Sequence, residues 1–274
     1  MSKIERAKNF ADNLWSEAFL AWYNRRQDHN YRHYLARPAI RQAFRELNLK
    51  SKLIMVDLGC AEGTETIFIA RTLHQLGLKP KVYGFDPHYD KGKHIKVKNI
   101  IFERGELTKL LPKYHLQAKV DLLTSIFVLQ ELPIWDEFLI QICQALKPGG
   151  KALFLLVHPE FGLSLRKKSA LIINQKLSKS TDWEFAAAYP IIEERSKAFY
   201  LPYFHRSLVL IKSKLEKHFC ILKVRGLKPD LETLKYCQRK KISPFINHFG
   251  NVYFPEIICQ ESSLLIIASK KEEK

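Results

Sequence analysis

The sequence predicts an α/β protein built on a seven-stranded, mostly parallel sheet with helices on both faces. Short apolar runs of strand length recur along the chain, and the first, Leu53-Ile-Met-Val-Asp-Leu-Gly, ends at glycine as a buried strand often does. Helix-like segments separate these runs, and strands that alternate with helices form parallel sheets with right-handed crossovers. A glycine-containing turn directly follows the first run, as expected at the ligand-binding edge of such a sheet.

The individual elements follow from hydrophobic spacing and from breaker residues. Residues 4–49 are expected to be helical, because Phe10, Leu14 and Phe19 recur near helical spacing, and a second helix there begins near Pro38. After Pro159 the alternation breaks, which predicts an insertion over the carboxyl edge of the sheet, helical first and extended near 191–200. Strands are expected over 53–59, 81–86, 100–103, 120–126, 151–158, 219–226 and 261–269, helices over 64–76, 135–146 and 207–218, and a loop over 250–255.

Composition favours a cytoplasmic protein that needs no metal or disulfide. No apolar stretch reaches the ~18 residues that a membrane-spanning helix needs, and the N-terminus has no apolar signal-peptide core. The five cysteines are scattered and form no CxxC pair, so neither a disulfide framework nor a structural zinc site is expected. A monomer or a homodimer is expected.

The net charge of +17 raises the expectation of an acidic partner such as RNA. The basic residues are nevertheless spread over the whole chain, and their clusters are short runs at 166–168, 239–241 and 270–271. Short runs of this kind are usually solvated faces, and this interpretation is favoured over an RNA-binding surface.

The most informative segment is the turn between the first strand and the first core helix, Val56-Asp-Leu-Gly-Cys-Ala-Glu-Gly63-Thr. Glycines let the backbone turn tightly and approach a ligand, and the helix N-terminus favours a negative group. Asp86 ends the next strand, where an acid can accept hydrogen bonds from ribose hydroxyls. The two features together predict an adenosine-type ligand, but the spacing is not the G-x-G-x-x-G expected for NAD.

These residues resemble motifs of the class I S-adenosylmethionine-dependent methyltransferases, a family with a Rossmann-like fold. Asp57-Leu-Gly-Cys-Ala-Glu-Gly63 is similar to motif I, D-x-G-x-G-x-G, with Ala61 in place of one glycine. Asp86, the Gly105-Glu106 pair and the segments 120–129 and 146–154 match later motifs in the expected order. The match covers residues 50–158 well, and 202–208 resembles a segment of some small-molecule members.

The resemblance implies S-adenosylmethionine as cofactor and assigns a role to each matching residue. The turn would hold the methionine portion, Asp86 would bind the ribose, and Glu106 would meet the adenine. It also divides the chain into a helical lid (1–49), a cofactor-binding core (50–158), a substrate cap (159–204) and the C-terminal part of the core (205–274). The implied cofactor residues are Asp57, Gly59, Cys60, Ala61, Gly63, Asp86, Pro87, Gly105, Glu106, Ser125 and Ile126.

Candidate acceptor-site residues lie where the substrate should enter, near the carboxyl ends of the fourth and fifth strands. His205, His158 and Glu131 are candidate bases, since histidine is well tuned near neutral pH and a carboxylate can also accept a proton. Arg206 is a candidate clamp for an acidic acceptor, or else pairs with a surface carboxylate. Tyr34 and Gln130 are further candidate substrate contacts, and the aromatic residues of the N-terminal segment either form a lid or pack on the sheet.

Three functions of different class remain open. A small-molecule methyltransferase is favoured, because Asp121-Leu-Leu-Thr lacks the D/N-P-P-Y/F pattern of nucleic-acid amino-methyltransferases and the flanking segments are able to enclose a pocket. An RNA-modifying methyltransferase is supported by the charge, but the sequence has no recognisable RNA-binding module. A non-catalytic cofactor-binding protein is the third alternative, against which the intact motifs argue.

Overall fold

The computed structural model describes residues 32–88, 97–168, 183, 185–192, 198–239 and 261–271. Its main sheet has seven strands in the order β3-β2-β1-β4-β5-β9-β8, and a separate two-stranded sheet pairs β6 with β7. Strands β1 to β5 pair in parallel, whereas β9 runs antiparallel to both of its neighbours. The strands are β1 Lys52–Leu58, β2 Lys79–Asp86, β3 Ile100–Arg104, β4 Val120–Ile126, β5 Leu146–Val157, β6 Phe185–Ile192, β7 Ala198–His205, β8 Phe219–Leu227 and β9 Ser263–Lys270.

Helices cover both faces of this sheet, so the predicted fold class is confirmed. A π-helical turn, Arg32–Ala36, leads directly into α1, and a short 3₁₀ turn, Leu129–Glu131, follows β4. Within the described residues, no helix has the length and apolar character needed to cross a membrane. The helices are α1 Arg37–Glu46, α2 Thr64–Gln75, α3 Leu107–Lys113, α4 Asp136–Ala145, α5 Pro159–Lys168, α6 Leu208–Glu216 and α7 Leu231–Arg239.

Two hydrophobic layers hold the helices to the sheet. Successive residues of a strand point to opposite faces, so Met55 belongs to one layer and Val56 to the other. One layer joins α1 and α2 to the sheet through Ile40, Phe44, Ile69 and Leu73. The other joins α3, α4 and α6 through Leu110, Leu139, Ile142, Ile211 and Leu215.

Most predicted elements are present, with shifts at their ends. Helix α1 begins with Pro38 in its first turn, as expected, and β4 has its predicted bounds. Helices α3 and α7 were not predicted; α3 is only seven residues long and contains Pro112, which weakens its helical signal. The predicted helix before residue 32 and the predicted loop at 250–255 lie outside the described residues.

In its described residues, the insertion after β5 contains α5 and the antiparallel pair of strands β6 and β7, called the β6–β7 hairpin below. Strand β7 packs against the turn at 129–131, which directly follows the carboxyl end of β4. Trp183 and Phe204 are buried and their ring centroids lie 5.6 Å apart, which anchors the hairpin to the core side. The insertion therefore lies beside the carboxyl ends of the parallel strands, as the sequence predicts.

At the opposite, amino edge of the sheet, Asp121 connects three strands. Its Oδ2 accepts a hydrogen bond of 2.8 Å from the Ile54 amide on β1, and its Oδ1 pairs with the Lys147 ammonium group on β5. Asp121 itself lies on β4, between those two strands. The carboxylate is thus structural, and it fixes the start of the central strands.

We expect Asp121→Ala to lower the free energy of unfolding by about 1–3 kcal/mol, because it leaves the Ile54 amide without its acceptor. Lys147→Ala is the matched control, since it removes only a partly exposed ion pair worth about 0–1 kcal/mol. Urea denaturation monitored by circular dichroism would measure the free energy of unfolding of both variants. Equal losses for the two variants would show that the amide contact contributes nothing.

Candidate functional site

Asp57 is the buried carboxylate around which the candidate site is built. On β1 it stands level with Thr124 of β4 on one side and with Gly84 of β2 on the other. Its oxygens accept hydrogen bonds from Thr124 Oγ1 at 2.6 Å and from Thr66 Oγ1 at 2.5 Å, and Thr66 belongs to α2. Burial raises the pKa of the Asp57 carboxyl to about 6, although both threonine hydrogen bonds lower it. This side chain therefore ties β1, β4 and the start of α2 together.

The turn between β1 and α2 is held by backbone contacts and by a second carboxylate. The amides of Gly59 and Cys60 both donate to the Phe85 carbonyl, at 2.8 and 3.3 Å. The Ala61 amide donates to Asp86 Oδ2 at 2.9 Å, and the His88 amide donates to Oδ1 of the same carboxylate at 2.7 Å. Asp86 is only 9% exposed, and burial raises the pKa of its carboxyl. Asp86 thus shapes the turn from the end of β2.

Two glycines of the turn are sterically required. Gly59 has a φ of +71°, and a Cβ placed there would lie 2.2 Å from Cγ2 of Val128. Gly63 has a φ of +86°, and its Cβ would lie 2.4 Å from the Phe102 ring. Ala61 also adopts a left-handed conformation, with a φ of +46°, which strains an L-residue. The glycine missing from the motif therefore falls at a position whose backbone conformation still favours glycine.

The remaining predicted cofactor residues gather at the neighbouring strand ends. The Gly105 amide donates to the Asp86 carbonyl at 3.1 Å, which places the end of β3 beside the end of β2. The Glu106 side chain is 66% exposed and lies 4.0 Å from the Lys109 ammonium group. Pro87 is exposed, and its carbonyl accepts a hydrogen bond from Arg104. The structure thus brings the residues predicted to contact ribose and adenine to one edge.

Acidic residues dominate this carboxyl edge. The described segments 57–65, 84–88, 103–107 and 126–137 contain no lysine. Their acids are Asp57, Glu62, Glu65, Asp86, Glu103, Glu106, Glu131, Asp136 and Glu137. Four of these acids already pair with cations: Glu65 with Arg37, Glu103 with Lys113, Glu106 with Lys109 and Asp136 with Lys214. Asp57 and Asp86 are buried, and an ionised carboxylate stabilises a cation most strongly where burial excludes water.

Glu131 lies in the 3₁₀ turn and is half-buried. Burial raises the pKa of its carboxyl to about 8, and the negative charge of Asp86 also raises it. The positive charge of Arg32 acts in the opposite direction and lowers this pKa. Arg32 itself lies 3.9 Å from Glu65 Oε1, and its guanidinium carbon lies 5.8 Å from the centre of the Phe127 ring. The segment before α1 therefore reaches the site through Arg32, a residue that the sequence alone did not identify.

Gln130 and Ser125 present buried polar atoms next to Glu131. Gln130 is 9% exposed and donates from Nε2 to the Phe127 carbonyl at 2.5 Å. Its Oε1, like the Oγ of the fully buried Ser125, has no hydrogen-bond partner among the described residues. A buried acceptor without a partner costs free energy unless a ligand or water satisfies it. Gln130 is therefore a plausible ligand contact on geometry as well as on sequence.

His205 and Arg206 end the β6–β7 hairpin beside this turn, and both are buried. The Tyr203 hydroxyl lies 3.3 Å from His205 Nδ1, so the two side chains form a hydrogen-bonded pair on one face of β7. The Arg206 guanidinium donates to the carbonyls of Phe204 and Leu132, at 3.1 and 2.8 Å, and lies 4.4 Å from the Trp135 ring centre. These contacts hold Arg206 in place, and its predicted roles, an acceptor clamp or a partner of a surface carboxylate, stay predictions.

His158 follows β5 and faces the start of β9. Its Nε2 lies 3.6 Å from Glu261 Oε2, while its Nδ1 is buried without a partner among the described residues. A carboxylate beside one ring nitrogen helps to orient an imidazole. His158 thus retains the chemistry of a base, at the strand next to the one that carries Gln130.

Two further predicted residues, Tyr34 and Cys60, contact neighbouring protein groups, and their predicted roles stay predictions. The ring of Tyr34 lies 5.9 Å from that of Tyr236 on α7, so it packs between helical segments. Cys60 is 5% exposed, and burial raises the pKa of its thiol well above the ordinary range, which agrees with a loop-filling role. Among the described residues, no group of three or more histidine, cysteine or acidic side chains could hold a metal ion.

We expect Gly59→Ala to abolish measurable cofactor binding and to lower the unfolding temperature, because its Cβ would collide with Val128 and its φ is positive. Ala61→Gly is the matched control. It relieves about 1 kcal/mol of backbone strain in the folded protein, but it also makes the unfolded chain more flexible, and the two effects on the free energy of unfolding offset each other. Calorimetric titration with the cofactor would measure the affinity of both variants, and thermal melting would measure their unfolding temperatures. Normal binding by Gly59→Ala would refute the steric role of this glycine.

Comparison with known proteins agrees with the site. A family model described as a methyltransferase domain matches residues 23–195, more than half of the chain. A search of curated proteins found no match.

Solved structures with the same fold include methyltransferases. An S-adenosylmethionine-dependent methyltransferase from Mesorhizobium loti is 20% identical with a TM-score of 0.53, over 85% of this chain and 96% of that one. A putative one from Listeria monocytogenes is 17% identical with a TM-score of 0.53, over 86% and 100%. A putative methyltransferase of Haloferax volcanii, solved with the Trm112 methyltransferase activator, is 12% identical with a TM-score of 0.60, over 93% and 96%. At these identities the likeness concerns the fold.

The family match and the fold together confirm the resemblance found in the motifs, and the chain belongs to the methyltransferase-domain family with the fold of the class I S-adenosylmethionine-dependent enzymes.

Proposed function

We propose that this protein transfers the methyl group of S-adenosylmethionine to a small-molecule acceptor. The observation that carries the proposal is the turn at 59–63, fixed by Asp57 and Asp86 at the carboxyl edge of a mostly parallel sheet. Ligands of open α/β sheets bind at this edge, where the strand order reverses. In this sheet the order reverses between β1 and β4, and the turn starts at the end of β1.

The residues at this edge fit the cofactor chemically. When bound, S-adenosylmethionine supplies a methyl group on a positively charged sulfur, which leaves as a neutral thioether. Two buried carboxylates, Asp57 and Asp86, lie at this edge and would favour this cation in their ionised forms. The amides of the turn would hold the methionine portion, and Asp86 would accept hydrogen bonds from the ribose, for which its oxygens keep lone pairs beyond the two amides they already bind.

The proposal of a small acceptor is supported by the elements that pack beside the carboxyl end of β4. Strand β7 packs on the turn at 129–131, and the guanidinium carbon of Arg32 lies 5.8 Å from the ring centre of Phe127, two residues before that turn. Gln130, His205 and Arg206 are all less than one-tenth exposed. A covered sheet edge suits a small molecule, whereas a folded RNA would need an open approach. We therefore retain the assignment of 159–204 as a substrate cap.

In this arrangement the protein aligns the acceptor and takes up its proton. The bound cofactor would supply the methyl carbon to a lone pair of the acceptor, and its sulfur would keep the electron pair of the broken carbon–sulfur bond. Alignment and exclusion of water can supply up to ~7–11 kcal/mol of such a barrier. We propose Gln130 Oε1 as an acceptor contact and Glu131 as the base for the acceptor proton, with His205 and His158 as the next candidates.

We expect the protein to bind S-adenosylhomocysteine in the micromolar range and not to bind NAD. Asp86→Ala should weaken the affinity at least tenfold, because it removes the ribose acceptor and loosens the turn. Isothermal titration calorimetry at physiological salt would measure this, with Glu137→Gln as the control for loss of an exposed acid. Absent binding in demonstrably folded protein, or NAD binding alone, would contradict the assigned cofactor.

The raised pKa of Glu131 predicts that cofactor affinity depends on pH. Below about pH 8 the carboxyl is protonated and neutral; above it, the carboxylate attracts the cationic sulfur. We therefore expect the affinity for S-adenosylmethionine, relative to neutral-sulfur S-adenosylhomocysteine, to rise about tenfold from pH 6.5 to 9, or ~1.4 kcal/mol. Both ligands carry the same amino group, so the effect of its titration cancels in the ratio of the two affinities. Glu131→Gln should make this ratio independent of pH. A pH-independent ratio in the wild-type protein would exclude Glu131 from the cofactor site.

A further inference from the structure

Lysine residues concentrate at the amino edge of the sheet, opposite the candidate site. The described segments 47–53, 75–82, 97–100, 115–121, 144–151 and 269–271 lie at this edge and contain ten lysines and one acid, Asp121. Two further acids, Glu46 and Glu216, end the adjoining helices α1 and α6, and Glu46 pairs with Lys223 and Arg225. The lysines belong to six adjacent strands, from β3 to β9 in spatial order. We call this set the lysine edge: Lys50, Lys52, Lys79, Lys81, Lys98, Lys119, Lys147, Lys151, Lys270 and Lys271.

Like charges stand next to each other along this edge. Lys52 and Lys79 are exposed and directly paired in register between β1 and β2, on strands that lie about 4.8 Å apart. Burial lowers the pKa of the Lys147 ammonium group, and the nearby positive charge of Lys50 lowers it further. Repulsion of this kind destabilises the fold, so a purely structural role does not explain the arrangement.

Internal partners account for only part of the lysine edge. Lys147 pairs with Asp121, while Lys270 and Lys271 donate to the carbonyls of Leu146 and Glu216. These contacts place cations near the ends of α4 and α6, where they offset the helix dipoles. No carboxylate of the described residues lies within ion-pair distance of five exposed members, Lys50, Lys52, Lys79, Lys98 and Lys119.

We propose that the lysine edge binds the phosphodiester backbone of a nucleic acid, at a surface separate from the methyl-transfer site. Five inter-strand steps of about 4.8 Å give a row of cations about 24 Å long, which matches a run of successive backbone phosphates. Ammonium groups contact phosphates as point charges. Contacts of this type position a nucleic acid without reading its sequence.

The composition of the edge favours a nucleic acid over a membrane surface. Membrane-surface segments combine basic residues with exposed apolar side chains that enter the lipid. The exposed large apolar residues of the described chain all lie outside the lysine edge: Ile140, Val209, Leu222, Leu231 and Tyr236. The row therefore offers charge alone, which is the sequence-independent term in nucleic-acid binding.

Fluorescence anisotropy with a labelled RNA duplex of about 20 base pairs, and with DNA of the same sequence, would test the proposal on the full-length protein between about 50 and 200 mM salt. We expect both duplexes to bind, with an affinity that falls steeply with salt. The triple variant Lys52→Gln, Lys79→Gln, Lys81→Gln should lower the affinity at least tenfold and reduce the salt slope by up to about 0.9 per lost phosphate contact.

A matched variant controls for the change in net charge. Lys109→Gln, Lys228→Gln and Lys235→Gln also remove three charges from exposed positions, but outside the lysine edge, and should leave the affinity within about twofold. Thermal melting and S-adenosylhomocysteine titration would verify that both variants are folded. Undetectable binding at about 50 mM salt, equal losses in both variants, or tighter binding to phosphatidylglycerol vesicles than to RNA would each overturn the proposal.

Discussion

The hydrogen bonds that Asp57 accepts from Thr66 and Thr124 fix the geometry on which the site depends. They bring a residue of β1, a residue of β4 and the first turn of α2 to one carboxylate that is 2% exposed. A buried carboxylate is costly unless it is hydrogen-bonded, so it holds its partners strongly in place. The turn at 59–63 has one end on β1 and the other on α2. Its shape therefore follows from this contact.

The sequence predicted the turn but not the contacts that hold it. Asp57, the glycines and Asp86 are close in sequence and carry a spacing that can be recognised. Thr124 lies 67 positions from Asp57, and its hydroxyl becomes meaningful only when β4 is placed beside β1. The same holds for Arg32, whose role requires the N-terminal segment to reach the turn at 129–131. Arg206 shows a second limit of prediction from sequence. This charged residue near the predicted site donates hydrogen bonds to backbone carbonyls, which the sequence does not indicate.

The two edges of the sheet carry opposite charge, and the helix dipoles reduce the cost of both. Helix α2 begins at the carboxyl edge and points its partly positive N-terminus toward the acids there. Helix α4 ends at the amino edge, where its partly negative C-terminus faces lysines. This compensation reaches only about one helical turn, so it cannot neutralise the lysines that begin β1 and β2. The charge separation therefore exceeds what the fold requires.

That separation bears on which molecule can be methylated. Strands of seven to eight residues place the two edges roughly 23–26 Å apart. A nucleic acid held along the lysine edge would lie that far from the turn at 59–63, too far for its contacted phosphates to bring an adjacent base to the cofactor. Binding at that edge would thus localise the protein rather than present its substrate. A small acceptor at the covered carboxyl edge and a nucleic acid at the amino edge are therefore compatible on one sheet.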